Sequence, residues 1–115
     1  MSTKELMKEF FFVRAGKKYN KVILAEILYA EGSGNNVKLV TGNRVYVINI
    51  TMQEFEKQMP AELFCRVHKS WIAGLHNISS FTEEVIYLGN TEIPLGKVYQ
   101  KEFLEKVSII PMVNS

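Results

Sequence analysis

Phe64-Cys-Arg-Val-His-Lys-Ser-Trp-Ile-Ala-Gly-Leu-His-Asn-Ile78 opens as a short apolar strand, Phe64 to Val67, and turns polar at His68-Lys69-Ser70. It becomes apolar again at Trp71-Ile72. Two apolar runs joined by a short polar break read as two strands and a presented polar tip. The rest of the chain repeats this grammar on both sides.

Upstream, Phe10-Phe-Phe-Val-Arg14 and Tyr19-Asn-Lys-Val-Ile-Leu24 flank the turn residues Ala15-Gly-Lys-Lys18, which predicts a hairpin. Ala25-Glu-Ile27 reads as a connector into a third strand, Leu28-Tyr-Ala-Glu31. Gly32-Ser-Gly-Asn-Asn36 is the most turn-rich run and leads to Val37-Lys-Leu-Val-Thr41. Gly42-Asn43 then turns into Arg44-Val-Tyr-Val-Ile-Asn-Ile50. Tyr46, Ile48 and Ile50 alternate there with Val45 and Val47, so both faces are apolar and a central place in the sheet is expected.

Thr51-Met-Gln-Glu54 has the spacing of a capping box, with Met52, Phe55 and Met59 on one helical face and Pro60 as the stop. Downstream, Ser79-Ser-Phe-Thr-Glu-Glu84 reads as a turn before Val85-Ile-Tyr-Leu88. Gly89-Asn90 links that strand to Thr91-Glu-Ile-Pro-Leu95, whose Pro94 suits only an edge or a strand end. Gly96 can start a helix that buries Tyr99, Phe103 and Val107. With about nine short strands and two short helices, these residues predict a small β-sandwich or barrel-like domain.

Composition narrows the function classes. The 115 residues allow one core, and 47% hydrophobic with 23% charged residues is ordinary for a globular domain. The single cysteine, Cys65, cannot form an internal disulfide and sits among apolar neighbours as a small core residue, which favours a reducing compartment. Met1 to Glu9 carries charges where a signal peptide needs an apolar run, and no stretch is long and apolar enough to span a membrane; a cytoplasmic location is expected.

All 12 acidic residues are glutamate, which excludes a self-contained phospho-aspartate switch and any aspartate-based catalytic or metal site. His68 and His76 therefore have no aspartate to orient them, and Ser70 lies too close in sequence to His68 to imply a nucleophile and its base. Cys65 and His68 have C-x-x-H spacing, but a second ligand pair is missing. Gly32-Ser-Gly34 lacks the third glycine and the lysine of a phosphate-binding loop. No enzyme, metal site or cofactor is expected.

Charge is distributed unevenly. Residues 10 to 25, 32 to 53, 63 to 82 and 93 to 101 contain no acid. They hold Arg14, Lys17, Lys18, Lys21, Lys38, Arg44, Arg66, Lys69, Lys97 and Lys101. If folding gathers several of these turns on one edge, that edge suits a nucleic-acid backbone; dispersed, they are a solvated surface. Asn35-Asn36 with Lys38, His68-Lys69-Ser70 and Gly96-Lys97 are short polar groups set between apolar residues. Asn pairs with an adenine edge and Lys donates to guanine acceptors, while Ser, Arg and backbone amides hold phosphates. A long basic helix and an exposed aromatic ladder are both missing, so neither a helix-turn-helix reader nor a single-strand binder is indicated.

These same residues carry a resemblance. Phe64-x-Arg66-Val-His68-Lys69-Ser70-Trp-Ile72 resembles the F-x-R-x-H-K/R-S-Y/F-I/L-V-N signature of the LytTR family of bacterial DNA-binding domains. Ile27-Leu-Tyr-Ala-Glu31-Gly-Ser-Gly-Asn35-Asn-Val37 is similar to its earlier block, and Ile93-Pro-Leu-Gly-Lys97 to its last. Asn36 replaces a common tyrosine, Ala73-Gly74 the usual Val-Asn, and Gly96 a frequent serine.

The resemblance implies a mainly β, compact stack of small antiparallel sheets, with about nine to ten short strands and two short helices. It would cover residues 10–107, after a polar lead-in at 1–9 and before a tail at 108–115. It implies sequence-specific binding of double-stranded DNA at direct-repeat promoter sites, with loops in successive major grooves and the duplex bent. A second copy would occupy the adjacent half-site, and a receiver domain or histidine kinase pathway would lie upstream. Base contacts would fall to Lys69, Lys97, Asn35, Asn36 and Lys38, and backbone contacts to Arg66, His68 and Ser70. The rival reading is a protein-interaction module that antagonises such a regulator without binding DNA.

Overall fold

A computed structural model describes residues 9–113; the lead-in at 1–8 and the last two tail residues lie outside that range. Ten strands form three antiparallel sheets. The first is a hairpin of β1 (Phe10–Ala15) and β2 (Lys18–Ile23). A 3-10 turn at Leu24–Glu26 leads into the main sheet of β3 (Ile27–Ser33), β4 (Asn36–Thr41), β5 (Val45–Ile48), β6 (Phe64–His68) and β7 (Trp71–Gly74). Its spatial order is β5-β4-β3-β7-β6. The third sheet runs β10-β9-β8, built from β8 (Ser80–Phe81), β9 (Val85–Leu88) and β10 (Thr91–Pro94). Helix α1 (Met52–Gln58) joins β5 to β6, and α2 (Gln100–Lys106) follows β10 through a 3-10 turn at Lys97–Tyr99.

Three hairpins close through two-residue loops that begin with glycine at positive φ: Gly16-Lys17, Gly34-Asn35 and Gly89-Asn90. This is the backbone that matches the twist of paired strands and that a side chain resists. The β4–β5 loop instead spans four residues, and the Thr41 hydroxyl holds it by accepting from the Arg44 amide at 3.1 Å.

Strand alternation splits the main sheet into two cores. Ala30, Val37, Leu39, Phe64 and Ile72 face one way and meet Met52 and Phe55 of α1 with Val22 of the first hairpin. Tyr29, Cys65, Val67 and Ala73 face the other way, onto Ile86, Leu88 and Ile93 of the third sheet and Phe103 of α2. Phe103 is fully buried, a burial that contributes roughly 2–3 kcal/mol. Lys106 pins the end of α2 by donating to the carbonyls of Ala61 and Phe64 at 3.1 and 3.2 Å.

Several expectations need correction. β5 is an edge strand, not a central one. Its Tyr46 and Ile48 pack on the first core, whereas Val45 and Val47 are exposed, because the second core on the opposite face takes in residues of β3, β6 and β7 and Val40 of β4 but none of β5. Ser80–Phe81, expected within a turn, pairs with β9, a strand too short to show a period. The third strand starts at Ile27 and runs on to Ser33. Thr51 caps α1 by accepting from the Glu54 amide at 3.2 Å; the return bond from the Glu54 side chain is not made among the described residues.

Two glycines mark close approaches. A Cβ on Gly32 would stand 2.0 Å from Cγ of Met52, so α1 sits against β3 only because that position is bare. A Cβ on Gly74 would meet the Ile27 carbonyl oxygen at 2.3 Å, and that backbone is locked in the sheet. Gly74→Ala should therefore destabilise the domain by at least about 2 kcal/mol in urea unfolding. Gly42→Ala, which meets nothing within 4 Å, should stay within about 0.5 kcal/mol of the parent.

Candidate nucleic-acid interface

The antiparallel register of β3 with β7 pairs Glu31 with Trp71, so the residues after Glu31 lie beside those before Trp71. The Gly32 amide accordingly donates to the Ser70 carbonyl at 2.8 Å. This tie puts the β3–β4 loop, Gly34-Asn35, and the β6–β7 loop, Lys69-Ser70, at the same end of the main sheet. A second tie adds the third polar group: the Gly96 amide donates to the Val67 carbonyl at 2.7 Å. The segment lies against His68, whose Cδ2 would be 3.5 Å from a Cβ at Gly96.

Lys69, Lys97, Asn35, Asn36 and Lys38 are all exposed at this end. Their side chains have no hydrogen-bond or ion-pair partner among the described residues. Lys38 lies two residues inside its loop and pairs across strands with Glu31, the acid nearest the cluster along β3. Arg44 is not part of the group. It sits on the loop at the far end of the β4–β5 hairpin, with its guanidinium 5.1 Å from the centre of the Tyr46 ring. On the β6 side the surface is bounded by acids: the Glu83 carbonyl accepts from Gln100 and the Glu84 carbonyl from the Leu95 amide, next to Lys97.

The loop between β6 and β7 is held from below. Arg66 donates through Nε to the His68 carbonyl at 3.0 Å and through Nη2 to the Lys69 carbonyl. Its Nη1 pairs with Glu56 of α1 at 2.9 Å. With the Arg66 side chain only 16% exposed, the guanidinium is committed to the loop and the helix rather than to solvent. His68 Nδ1 accepts from the Ser70 amide at 3.1 Å, which holds the ring against the loop backbone. The loop thus carries Lys69 on a backbone fixed by two side chains. Nothing near Arg66 in sequence announces this role, since its acid partner lies ten residues away on another element.

Arg66→Ala should lower stability by about 1–3 kcal/mol and speed amide exchange at Lys69 and Ser70. Glu56→Gln, which removes a half-exposed pair, should cost less than about 1 kcal/mol.

No group of three or more metal-ligating side chains occurs among the described residues. Cys65 is buried, and its thiol is pushed up to about 11, first by burial, with Glu102 and Glu56 adding and Lys106 opposing. It is a core thiol rather than a thiolate. Because its folded pKa lies above the free value of 9.0, the unfolded chain loses this proton first. Stability should fall as pH rises from about 9 to about 11, relative to a Cys65→Ala variant, by on the order of 2 kcal/mol in urea unfolding.

The sequence profile of the LytTr DNA-binding domain matches residues 17–108. The chain belongs to the LytTR family. Similar curated proteins are LytT sensory transduction proteins. That of Enterococcus faecalis is 28% identical over 79 residues, covering 64% of this chain and 33% of the relative. That of Bacillus anthracis is 28% identical over 94 residues, covering 76% and 38%. That of Bacillus subtilis is 27% identical over 90 residues, covering 73% and 37%. This LytTR chain spans about a third of the length of these relatives, from 33% to 38%. A solved LytTr DNA-binding domain from Bacillus cereus superposes with a TM-score of 0.73 at 19% identity, over 86% of this chain and 96% of that one. The two share the fold. No helix among the described residues is long and apolar enough to cross a membrane.

Proposed function

We propose that this LytTR domain binds double-stranded DNA sequence-specifically to regulate transcription, as the output unit of a response regulator or as a stand-alone regulator. The observation that carries this reading is the meeting of three polar loops at one end of the main sheet through two backbone hydrogen bonds. Exposed lysines and asparagines with no partner among the described residues suit base reading: their donors are free to pair, and the β6–β7 backbone that presents Lys69 is already held, so the side chains are what is left to order on binding.

In this mechanism Lys69 and Lys97 donate to base acceptors, Asn35 reads from the β3–β4 loop, and Asn36 and Lys38 read from the start of β4. His68 Nε2 and the Ser70 hydroxyl reach phosphates. Arg66 serves the backbone interface indirectly, by holding the loop that presents them. The loops would enter successive major grooves, and bending of the duplex would let both engage. Direct-repeat promoter sites would seat a second copy on the neighbouring half-site, and a receiver domain or histidine kinase pathway would supply the signal. The unit that carries this function is residues 10–107.

Lys69→Ala and Lys97→Ala should each cost about 1–3 kcal/mol on a duplex selected from a randomised pool, with smaller losses on random duplex and unchanged unfolding curves. Fluorescence anisotropy measures both. Equal losses on the two duplexes, or none, would remove these lysines from base reading.

A further inference from the structure

The basic residues of the first hairpin take no part in the site described so far. β1, β2 and their loop carry Arg14, Lys17, Lys18 and Lys21, all exposed, and no acid. None is ion-paired among the described residues. The strand register explains how they are presented. Phe11 pairs with Val22 and Val13 with Asn20, and Phe11, Val13 and Val22 pack on the first core, which anchors the ribbon. The pairs Phe12 with Lys21 and Arg14 with Tyr19 point the other way.

On that outer face the aromatic rings seat the cations. Lys21 Nζ lies 4.3 Å from the centre of the Phe10 ring, which meets Phe12 edge-on at 5.9 Å. The Arg14 guanidinium is 6.0 Å from the Tyr19 ring centre. The exposure of Phe12 and Tyr19 thus has a local use: they support charged heads that face solvent.

The hairpin lies near β5, across a groove that both help to line. β1 and β5 wall a groove of about 660 Å³ in which Arg14 lies with Asn49 and Ile50. Asn49 follows Ile48, which pairs with Val37 next to Asn36, so this groove opens beside the β3–β4 loop. On the other side, near Lys97, the chain carries two exposed acids, Glu83 and Glu84, tied through their backbone carbonyls to Gln100 and Leu95. On the β5 side lies the hairpin, with Arg14 at the groove and Lys17, Lys18 and Lys21 on the same ribbon, none of them ion-paired among the described residues. Lysine is depleted in protein–protein interfaces and is the ordinary partner of phosphate, so the composition favours a polyanion.

We propose that the β1–β2 hairpin is a second DNA contact, gripping phosphates of the duplex that flanks the recognised site on the β5 side. It reads no bases. The proposal rests on the DNA-binding reading above and is separable from it.

The test uses the full chain and a Lys17→Ala/Lys18→Ala/Lys21→Ala variant, with Lys17→Gln/Lys18→Gln as a milder second variant confined to the tip region. The probe is a duplex selected from a randomised pool, prepared with about 15 flanking base pairs on each side and again trimmed to the selected core; about one helical turn of flank is ample for three phosphates. Anisotropy is followed against KCl concentration. On the long duplex the triple variant should bind about tenfold or more weakly near 0.15 M salt, with the log–log salt slope reduced by about 2 to 3. On the trimmed duplex it should stay within about twofold of the parent, and its ratio of specific to random binding should be unchanged.

An unaltered affinity and slope on the long duplex, with the parent still binding, would overturn the hairpin contact alone. Equal losses on both lengths would overturn its placement on the flank, and normal DNA binding with loss of a protein partner would assign the face to that partner instead. A parent chain that binds no selected duplex would overturn both proposals.

Discussion

The pairing of β3 with β7, Tyr29 to Ala73, Ala30 to Ile72 and Glu31 to Trp71, is what the rest of the domain hangs on. These strands belong to two hairpins separated by β5 and a helix, and among the described residues their ladder is the one strand pairing that joins the two parts of the main sheet. It makes one five-stranded sheet from two smaller units. It also assigns Ala30 and Ile72 to one core and Tyr29 and Ala73 to the other. A slip of one residue would exchange those faces, exposing Ile72's core to the third sheet and Tyr29 to α1, so burial fixes the register firmly. The bare backbone at Gly74, packed under the Ile27 carbonyl, leaves no room for an alternative alignment.

That register also decides the function proposed here. It sets Gly32 beside Ser70 and brings one loop of each hairpin to a common end, and the Gly96 tie adds the third. The β6–β7 loop is then stiffened further. Arg66 spans from Glu56 on α1 to the carbonyls of His68 and Lys69, and His68 accepts from the Ser70 amide. Polar tips that would otherwise sample many conformations are held before any ligand arrives, which lowers the entropic cost of recognition. The division of labour is clear: half-buried Arg66 and His68 shape the backbone, and exposed Lys69 and Lys97 remain free to donate.

Much of this was legible in the chain itself. The polar break at His68-Lys69-Ser70, the glycine-led loops and the apolar faces of both helices follow from local patterns and recur in the structure. The resemblance marked the three blocks that fold into the three loops and their flanks. What the sequence concealed was long-range. The edge position of β5 follows from β3 pairing onward with β7 while β5 pairs with β4 alone, which no alternation within β5 encodes. The partners of Arg66 lie on α1 and on carbonyls of its own loop, and the Asn77 side chain donates to the carbonyls of Ala25 and Ile27, about fifty residues away, without any motif to announce it. The convergence of the loops rests on two amide-to-carbonyl bonds, to which side-chain identity contributes nothing.

The most direct measurement is an amide chemical-shift titration of the labelled chain with a selected duplex. Residues 33–38, 67–71 and 96–98 should shift together along one saturation curve, while the opposite end of the main sheet, residues 41–45 and 75–78, stays in place. Shifts centred on that opposite end, or a saturating titration that leaves Lys69 and Lys97 untouched, would contradict a reading edge built from these three loops.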